Sequence, residues 1–255
     1  MKAVILTIGN EILKGKTVNT NMAHIGQVLT YAGHEVYRAL IVKDDPGEIS
    51  WGIRNALESG EIVVTTGGLG PTFDDMTVES ISRALGLQTE IDMEELKYLQ
   101  GRYTGRGLEL TEERLKMVRL PVGSRAIHNP VGAAPGVIMK HEGKTIIILP
   151  GVPAEMKAIL DIALPEIKTG EREYYEETFP LEGIMESSLA PLTERIMKKW
   201  DGQVYIKSHP QRSEVDNPSL NVEVSSWGSD VNKAREIVAT VVKEIRESYR
   251  AYIGK

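Results

Sequence analysis

A chain of 255 residues, 41% hydrophobic, can bury a full core as one large domain or two smaller ones. It has no cysteine, which excludes disulfides, thiolate nucleophiles, cysteine–zinc sites and iron–sulfur ligation and leaves oxygen and nitrogen groups for any chemistry. The net charge of −6 divides as −3 for residues 1–172 and −3 for residues 173–255, so neither part is basic and nucleic acid is not expected as a partner.

The opening "MKAVILTIGN" carries one lysine and an apolar run too short for a secretion signal, and no later run reaches a membrane span. A cytoplasmic protein without a membrane partner is expected. "AVILTIG" reads as a buried strand ended by Gly9. Met22, Ile25, Val28 and Leu29 then recur at helical spacing, with Asn19 or Asn21 as cap and Gly33 as stop. "EVYRALIV" is a second strand, "PGEISWGIRNALESG" a helix with proline in its first turn, "EIVVTT" a third strand, and "TVESISRALG" a helix closed by Gly86. Strand followed by helix, repeated three times, predicts a parallel sheet with helices on both faces.

Residues 92–120 are polar and expected to be helical. "PGVIMKHEGKTIIILPG" reads as a hairpin around "HEGK", and "PAEMKAILDIALPEI" as a helix that starts on Pro153. "KTGEREYYEE" marks a linker, although its tyrosines could equally begin a strand. Beyond it follow a strand near 177–181, the helix "SSLAPLTERIMKKW", the strands "QVYIKSHP" and "SLNVEVSSW", and a long closing helix. In that helix Val231, Ala234, Ile237, Val238, Val241, Val242 and Ile245 form one apolar stripe behind a Ser229/Asp230 cap. The expected domains are therefore residues 1–172, α/β with a mostly parallel sheet, and residues 173–255, a smaller unit of mixed helix and strand.

The loops that leave the strands carry the chemical signal, because ligands of open α/β sheets collect at the carboxyl ends of strands. "TTGGLGPTFDDMT", residues 65–77, puts three glycines before Asp74 and Asp75. Glycine lets backbone N–H groups approach an anion, and adjacent carboxylates suit a hard divalent cation, so a metal-bound pyrophosphate would account for both. The competing reading is turn chemistry with one aspartate capping the next helix. At the same edge "IGNEILKGKTVNTN" offers Asn10, Glu11, Lys14, Asn19 and Asn21, and "KDD" offers Asp44 and Asp45. "NPVGAAPG" and "LPGVPAEM" add glycine–proline turns, the second with Glu155 in the first turn of a helix. The five histidines are dispersed, and no pair has ligand spacing.

Four of these stretches, "GNEILKG…NTN", "TTGGLGPTFDDMT", "NPVGAAPG" and "LPGVPAEM", together resemble the N-terminal domain of the CinA (competence/damage-inducible protein A) family. That family is part of the larger molybdopterin-binding superfamily with MoaB, MogA and gephyrin domains. The resemblance covers residues 1 to about 170, and the remainder resembles the KH-like domain that follows in CinA proteins. It implies a three-layer α/β domain around a mixed sheet, plus a smaller α+β domain, often in a homo-oligomer. The family's usual C-terminal nicotinamide-nucleotide amidase domain is expected to be absent, since the sequence stops at Lys255. No GXXG loop occurs between residues 173 and 255, so the KH-like part is expected to serve as a dimerisation or lid element, not to bind RNA.

The resemblance implies a small-molecule ligand, nucleotide or pterin. In the CinA branch the associated activity is metal-dependent hydrolysis of ADP-ribose-like pyrophosphates, and in the MogA branch binding and adenylylation of molybdopterin. Carried over by motif, Asp75 takes the place of the acidic residue after the glycine loop. Asp44 or Asp45 is its partner across the cleft, and Asp45 is assigned with Asp74 and Asp75 as the catalytic set. A divalent cation (Mg, Mn or Co) is assigned to Asp74, Asp75 and Glu11. Gly67, Gly68, Gly70 and Thr72 would cradle phosphate, and Gly9, Asn10, Glu11, Asn21, Pro71, Asn129, Gly132, Gly151, Pro153 and Glu155 complete the expected ligand-binding set. One departure stands out: CinA sequences commonly read Gly-Asp-Glu or Gly-Thr-Glu where this chain has Gly9-Asn10-Glu11. A pyrophosphatase, a pterin-binding adenylyl-transfer protein and a non-catalytic nucleotide-binding regulator are the three functions these observations allow.

Overall fold

The computed structural model describes residues 1–105, 107–168, 172–211 and 217–253. Two compact units result, the first of Met1–Thr30 with His34–Lys168, the second taking the described remainder of the chain.

In the first unit β1 (Lys2–Ile8) leads through a short α1 (Asn10–Leu13) to α2 (Thr20–Tyr31). Then come β2 (Glu35–Val42), α3 (Pro46–Ser59), β3 (Ile62–Thr66) and α4 (Thr77–Ala84). The caps follow side-chain chemistry: the Asn19 carboxamide oxygen accepts the Met22 N–H at 3.1 Å, and the Asp45 carboxylate accepts those of Gly47 and Glu48 at 2.9 and 3.1 Å. Residues 89–121 fold as β4 (Thr89–Ile91), α5 (Met93–Thr104), α6 (Glu112–Leu115), a 3-10 turn (Lys116–Val118) and β5 (Arg119–Pro121). The expectation of helix from 92 to 120 is thus corrected at 107–111, which form no helix, and at its C-terminal end, where β5 pairs antiparallel with β4. Strands of three residues carry too little periodicity to announce themselves. The same holds for β6 (Arg125–Ile127), which precedes the hairpin β7 (Gly136–His141) and β8 (Lys144–Leu149) and the helix α7 (Pro153–Ile167).

The six-stranded sheet runs β2-β1-β3-β8-β7-β6. Its first four strands are parallel, and β7 and β6 join antiparallel. Alternate residues feed two cores. Val4, Leu6, Val63 and Ile148 pack with Ile49 and Ile53 of α3, Ile81 of α4 and Leu99 of α5. Ile5, Val64 and Ile147 pack on the other face with Ile25 and Leu29 of α2 and with Ile159 and Leu160 of α7. Burial on both faces is why these strands read as continuous apolar runs. The result is the expected three-layer α/β arrangement.

The second unit holds β9 (Glu173–Glu182), α8 (Glu186–Lys199), β10 (Val204–Pro210), β11 (Ser219–Gly228) and α9 (Val231–Ile253). Residues 169–171 of the expected linker lie outside the described residues, and the two tyrosines at 174 and 175 belong to β9. The strands form an antiparallel sheet ordered β10-β11-β9. Phe179, Val222 and Val224 pack with Leu189 and Ile196 of α8 and with Val238, Val241 and Ile245 of α9. Asp230 caps α9 through the N–H groups of Asn232 and Lys233, both at 3.0 Å. Among the described residues no helix is long and apolar enough to cross a membrane.

Where β3 ends, Gly67 adopts φ +112°, and its N–H donates to the Leu149 carbonyl at 3.0 Å. A Cβ there would lie 2.1 Å from the Ile8 carbonyl oxygen. Gly67→Ala is therefore expected to cost about 3 kcal/mol or more, from a disfavoured φ together with overpacking, as a lowered midpoint in chemical denaturation.

Candidate functional site

A cleft of about 460 Å³ opens at the carboxyl ends of β1, β3 and β8, and the loops leaving these strands and β2 supply its walls. From the β1 loop come Gly9 and Glu11, from the β2 loop Asp44, from the β3 loop the stretch from Gly67 to Asp75 without Phe73, and from the β8 turn Gly151 and Glu155. The three strand ends expected to meet do meet, and the turn after β8 joins them.

Asp44, not Asp45, is the β2-loop carboxylate of this cleft. Asp45, expected in the catalytic set, does not line the cleft, and its carboxylate caps α3. Asp44 Oδ2 instead accepts the Asn10 N–H at 2.7 Å. That bond uses the backbone of Asn10, so it does not depend on whether asparagine or an acidic residue stands there. Burial raises the Asp44 carboxyl above its ordinary value; the Asn10 N–H opposes this, and the Glu11 and Asp74 carboxylates add to it.

In the glycine loop the Thr72 hydroxyl lies 2.5 Å from both Asp74 Oδ1 and Asp75 Oδ2, while the Thr72 N–H donates to Asp75 Oδ2 at 2.9 Å. The hydroxyl has one proton for two carboxylates. Its bond is the main cause that lowers the Asp74 carboxyl below its ordinary value. Neither aspartate caps α4, whose N-cap position is Met76 with no side-chain bond, so the capping alternative fails for this loop. Thr72 is engaged with the aspartates and the Gly67 N–H with Leu149, while the amides of Gly68, Leu69 and Gly70, like those of Phe73 and Met76, make no hydrogen bond among the described residues. Lys116 donates from Nζ to the Thr72 carbonyl.

Several expected ligand residues build the walls instead. Asn129, 1% exposed, accepts the Val131 and Gly132 N–H groups at 3.0 and 2.7 Å and donates to the Ala134 carbonyl and to Glu155 Oε2 at 2.8 and 2.7 Å. It therefore fixes both the loop and the Glu155 carboxylate. Gly132 lets that carboxylate pass, as a Cβ there would meet it at 2.1 Å. Asn21 is buried in α2 and donates to Thr66 Oγ1 and the Gly151 carbonyl at 2.9 and 2.8 Å. With Glu11 and Pro153 it lines a smaller adjoining cavity of about 90 Å³, where its Oδ1 has no partner among the described residues.

Sequence reading missed Lys116 and Arg119, which line a further cavity of about 340 Å³ that shares Gly68, Leu69, Gly70, Asp75 and Met117 with the cleft. They come from the polar stretch 92–120, which holds no recognisable motif. Among the described residues no three histidines or carboxylates are gathered closely enough to form a ready-made metal site, so Glu11, Asp74 and Asp75 line one cleft without being preassembled around an ion.

A family model described as a probable molybdopterin-binding domain matches residues 4–169. The chain belongs to this family. A protein of Caldivirga maquilingensis is 50% identical to it over 245 residues, 96% of this chain and 95% of that one. Protein Ta0487 of Thermoplasma acidophilum is 46% identical over 252 residues, 99% of this chain and 97% of that one. A crystal structure of the protein CinA, of unknown function, from Thermoplasma acidophilum is 50% identical with a TM-score of 0.62, over 65% of this chain and 97% of that one. The molybdopterin-binding-like domain and the likeness to CinA, both read from the four motifs, are thus borne out.

The two aspartates of the β2 loop separate by experiment. Asp45→Ala should cost about 1 kcal/mol through the lost cap and leave ligand binding unchanged. Asp44 has a raised folded-state pKa, so the folded protein holds that proton more tightly and loses stability as pH rises through the interval above 3.8. Asp44→Asn keeps an acceptor for the Asn10 N–H and removes the charge. Its melting temperature should exceed the parent's at neutral pH, and the gap should close as the medium becomes acid.

Proposed function

We propose that this chain is a metal-dependent pyrophosphatase of nucleoside diphosphate compounds of the ADP-ribose type. The observation that carries the reading is that one cleft is lined both by Gly68, Leu69 and Gly70, whose amides make no hydrogen bond among the described residues, and by the carboxylates of Glu11, Asp44, Asp74 and Asp75. Amides can neutralise one side of a diphosphate; carboxylates can do so only through a cation.

The residues fit such a cation. The donors are all oxygen, as hard divalent ions prefer, and the like-charge crowding that raises Asp44 is what a cation would relieve. The absence of a ready three-carboxylate group suits an ion held by one or two carboxylates with the remaining positions left to phosphate and water. Asp74 and Asp75 are the residues that would hold it, with Glu11 close by in the cleft. Bound there, it would supply Lewis acidity to the phosphate oxygens and offset their charge.

The chain's own groups account for the rest. Water attacks one phosphorus, the bond from that phosphorus to the bridging oxygen breaks, and the bridging oxygen leaves with the second phosphate. Asp44, whose raised pKa suits a base, accepts the proton of the attacking water. Asn129 holds Glu155 at the cleft wall, and Thr72 keeps Asp74 and Asp75 side by side.

A second reading is favoured by the family match: a molybdopterin-type pterin could occupy the same cleft for adenylyl transfer. Calorimetry with pterin ligands against ADP-ribose separates the two. For the leading reading, AMP release from ADP-ribose is followed with Mg, Mn and Co and without metal. Asp75→Asn should lower the rate by about 10²-fold or more with the melting temperature kept. No turnover with any divalent metal removes the hydrolase.

A further inference from the structure

The tip of the glycine loop is built around Thr72. Its N–H donates to Asp75 Oδ2 at 2.9 Å, its hydroxyl lies 2.5 Å from Asp74 Oδ1 and from Asp75 Oδ2, and its carbonyl accepts the Asp75 N–H at 3.2 Å. All three polar groups of Thr72 thus serve the two aspartates. The base of the loop is closed separately by Thr77, whose N–H and hydroxyl bind the carbonyls of Gly68 and Gly67 at 3.2 and 2.8 Å. From Gly70 to Asp75, among the described residues, one hydrogen bond reaches the rest of the chain: Lys116 donates from Nζ to the Thr72 carbonyl. Packing does not replace it, since Pro71, Thr72 and Phe73 are all exposed, Phe73 at 91%. Lys116 itself stands on a fixed base, because the next two residues, Met117 and Val118, are buried in the core.

Lys116 carries a charge as well as a donor. The Thr72 hydroxyl is the main cause that lowers the Asp74 carboxyl, and the Lys116 charge is the smallest; Glu113 is lowered mainly by its hydrogen bond with Thr111 and least by the same charge. As a charge Lys116 is a weak neighbour of both carboxylates. As a donor it holds the residue that holds Asp74 and Asp75.

We infer that Lys116 is a positioning residue, which through the Thr72 carbonyl sets the orientation of Asp74 and Asp75 toward a divalent cation. The inference rests on the reading that assigns the cation to these two carboxylates. Groups that orient the ligands of a metal without touching it change its affinity by roughly 10–100-fold, because donors left loose must be ordered when the ion binds. The two properties of Lys116 act in opposite directions. Loss of its charge alone would tighten cation binding, and loss of its tether would weaken it. The slight effect of that charge on Asp74 marks it as well screened by water, so the tether decides the sign.

Calorimetry on the full chain with Mn as the only ligand reads that sign. Lys116→Met keeps the stem and loses donor and charge, so Mn affinity should fall at least about fivefold with the melting temperature kept. Lys116→Arg keeps a donor for the carbonyl, and its affinity should lie closer to the parent than to Lys116→Met. Asp75→Asn should abolish the binding. If Lys116→Met lowers the melting temperature, Lys116→Ser replaces it under the same criteria. A smaller fall, no change or a gain overturns the inference, as does Lys116→Arg closer to Lys116→Met than to the parent, Mn binding that survives Asp75→Asn, or a parent that binds no Mn. If Mn binding follows the expected pattern and no metal yields AMP from ADP-ribose, the positioning role stands and the hydrolase falls. If AMP is released and Lys116→Met keeps the Mn affinity of the parent, the hydrolase stands and the positioning role falls.

Discussion

The site depends on how closely the ends of three parallel strands approach one another. Gly67 sits where β3 ends, bonded to Leu149 of β8 and without space for a side chain against the Ile8 carbonyl of β1. That contact turns the chain sharply out of the sheet, and the next residues cannot continue as strand or begin a helix. They form an open loop, with the amides of Gly68, Leu69 and Gly70 left without internal partners. Thr77 completes the turn by donating its hydroxyl to the Gly67 carbonyl at 2.8 Å, so the loop is closed at its base while its tip remains free to meet a ligand. The chemistry of the cleft follows from a packing constraint at Gly67, in its own wall.

Most of the framework was legible in the sequence because both faces of the sheet are buried. β1, β3 and β8 read as unbroken apolar runs, and the periodicity of α2 and, apart from the exposed Val231, of α9 matched the face each turns to its core. What was not legible depends on partners distant in sequence. β4 and β5 pair across some thirty residues, and neither is long enough to show an alternation. Lys116 and Arg119 reach the site only because that pairing carries the chain back beside the glycine loop, so no local pattern could mark them. The choice between Asp44 and Asp45 was closed for a related reason. Adjacent residues of one type differ only in which way the backbone turns them, one to its own helix N-terminus and the other into the cleft.

The motifs themselves mix two kinds of residue. In "NPVGAAPG" Asn129 and Gly132 do not line the cleft; they shape a loop whose Ala133 and Ala134 do. Asn21 in "NTN" ties α2 to the turn after β8. The β1 loop has the same division, with Asn10 holding Asp44 through its backbone and Glu11 presenting its side chain to the cavity. A motif records what a site needs, and a site needs walls as much as it needs ligands. Assigning each motif residue to the ligand therefore overcounts the contacts and undercounts the scaffold.

Charge sets the remaining condition. The protein is acidic throughout, and the deepest part of the site is the most acidic, which by itself repels a polyanion. Such a ligand can be held only if charge of the opposite sign is supplied locally. The fold offers the unbonded N–H groups of Gly68, Leu69 and Gly70 and, in the cavity beside the glycine loop, Lys116 and Arg119 together with Asp75 and Glu79. The cleft itself presents carboxylates and no lysine or arginine, and Asp44 reflects their crowding, its carboxyl raised by burial and further by Glu11 and Asp74. A polyanion placed there would depend on an added cation, a dependence that follows from where the charges are and not from what the protein is called.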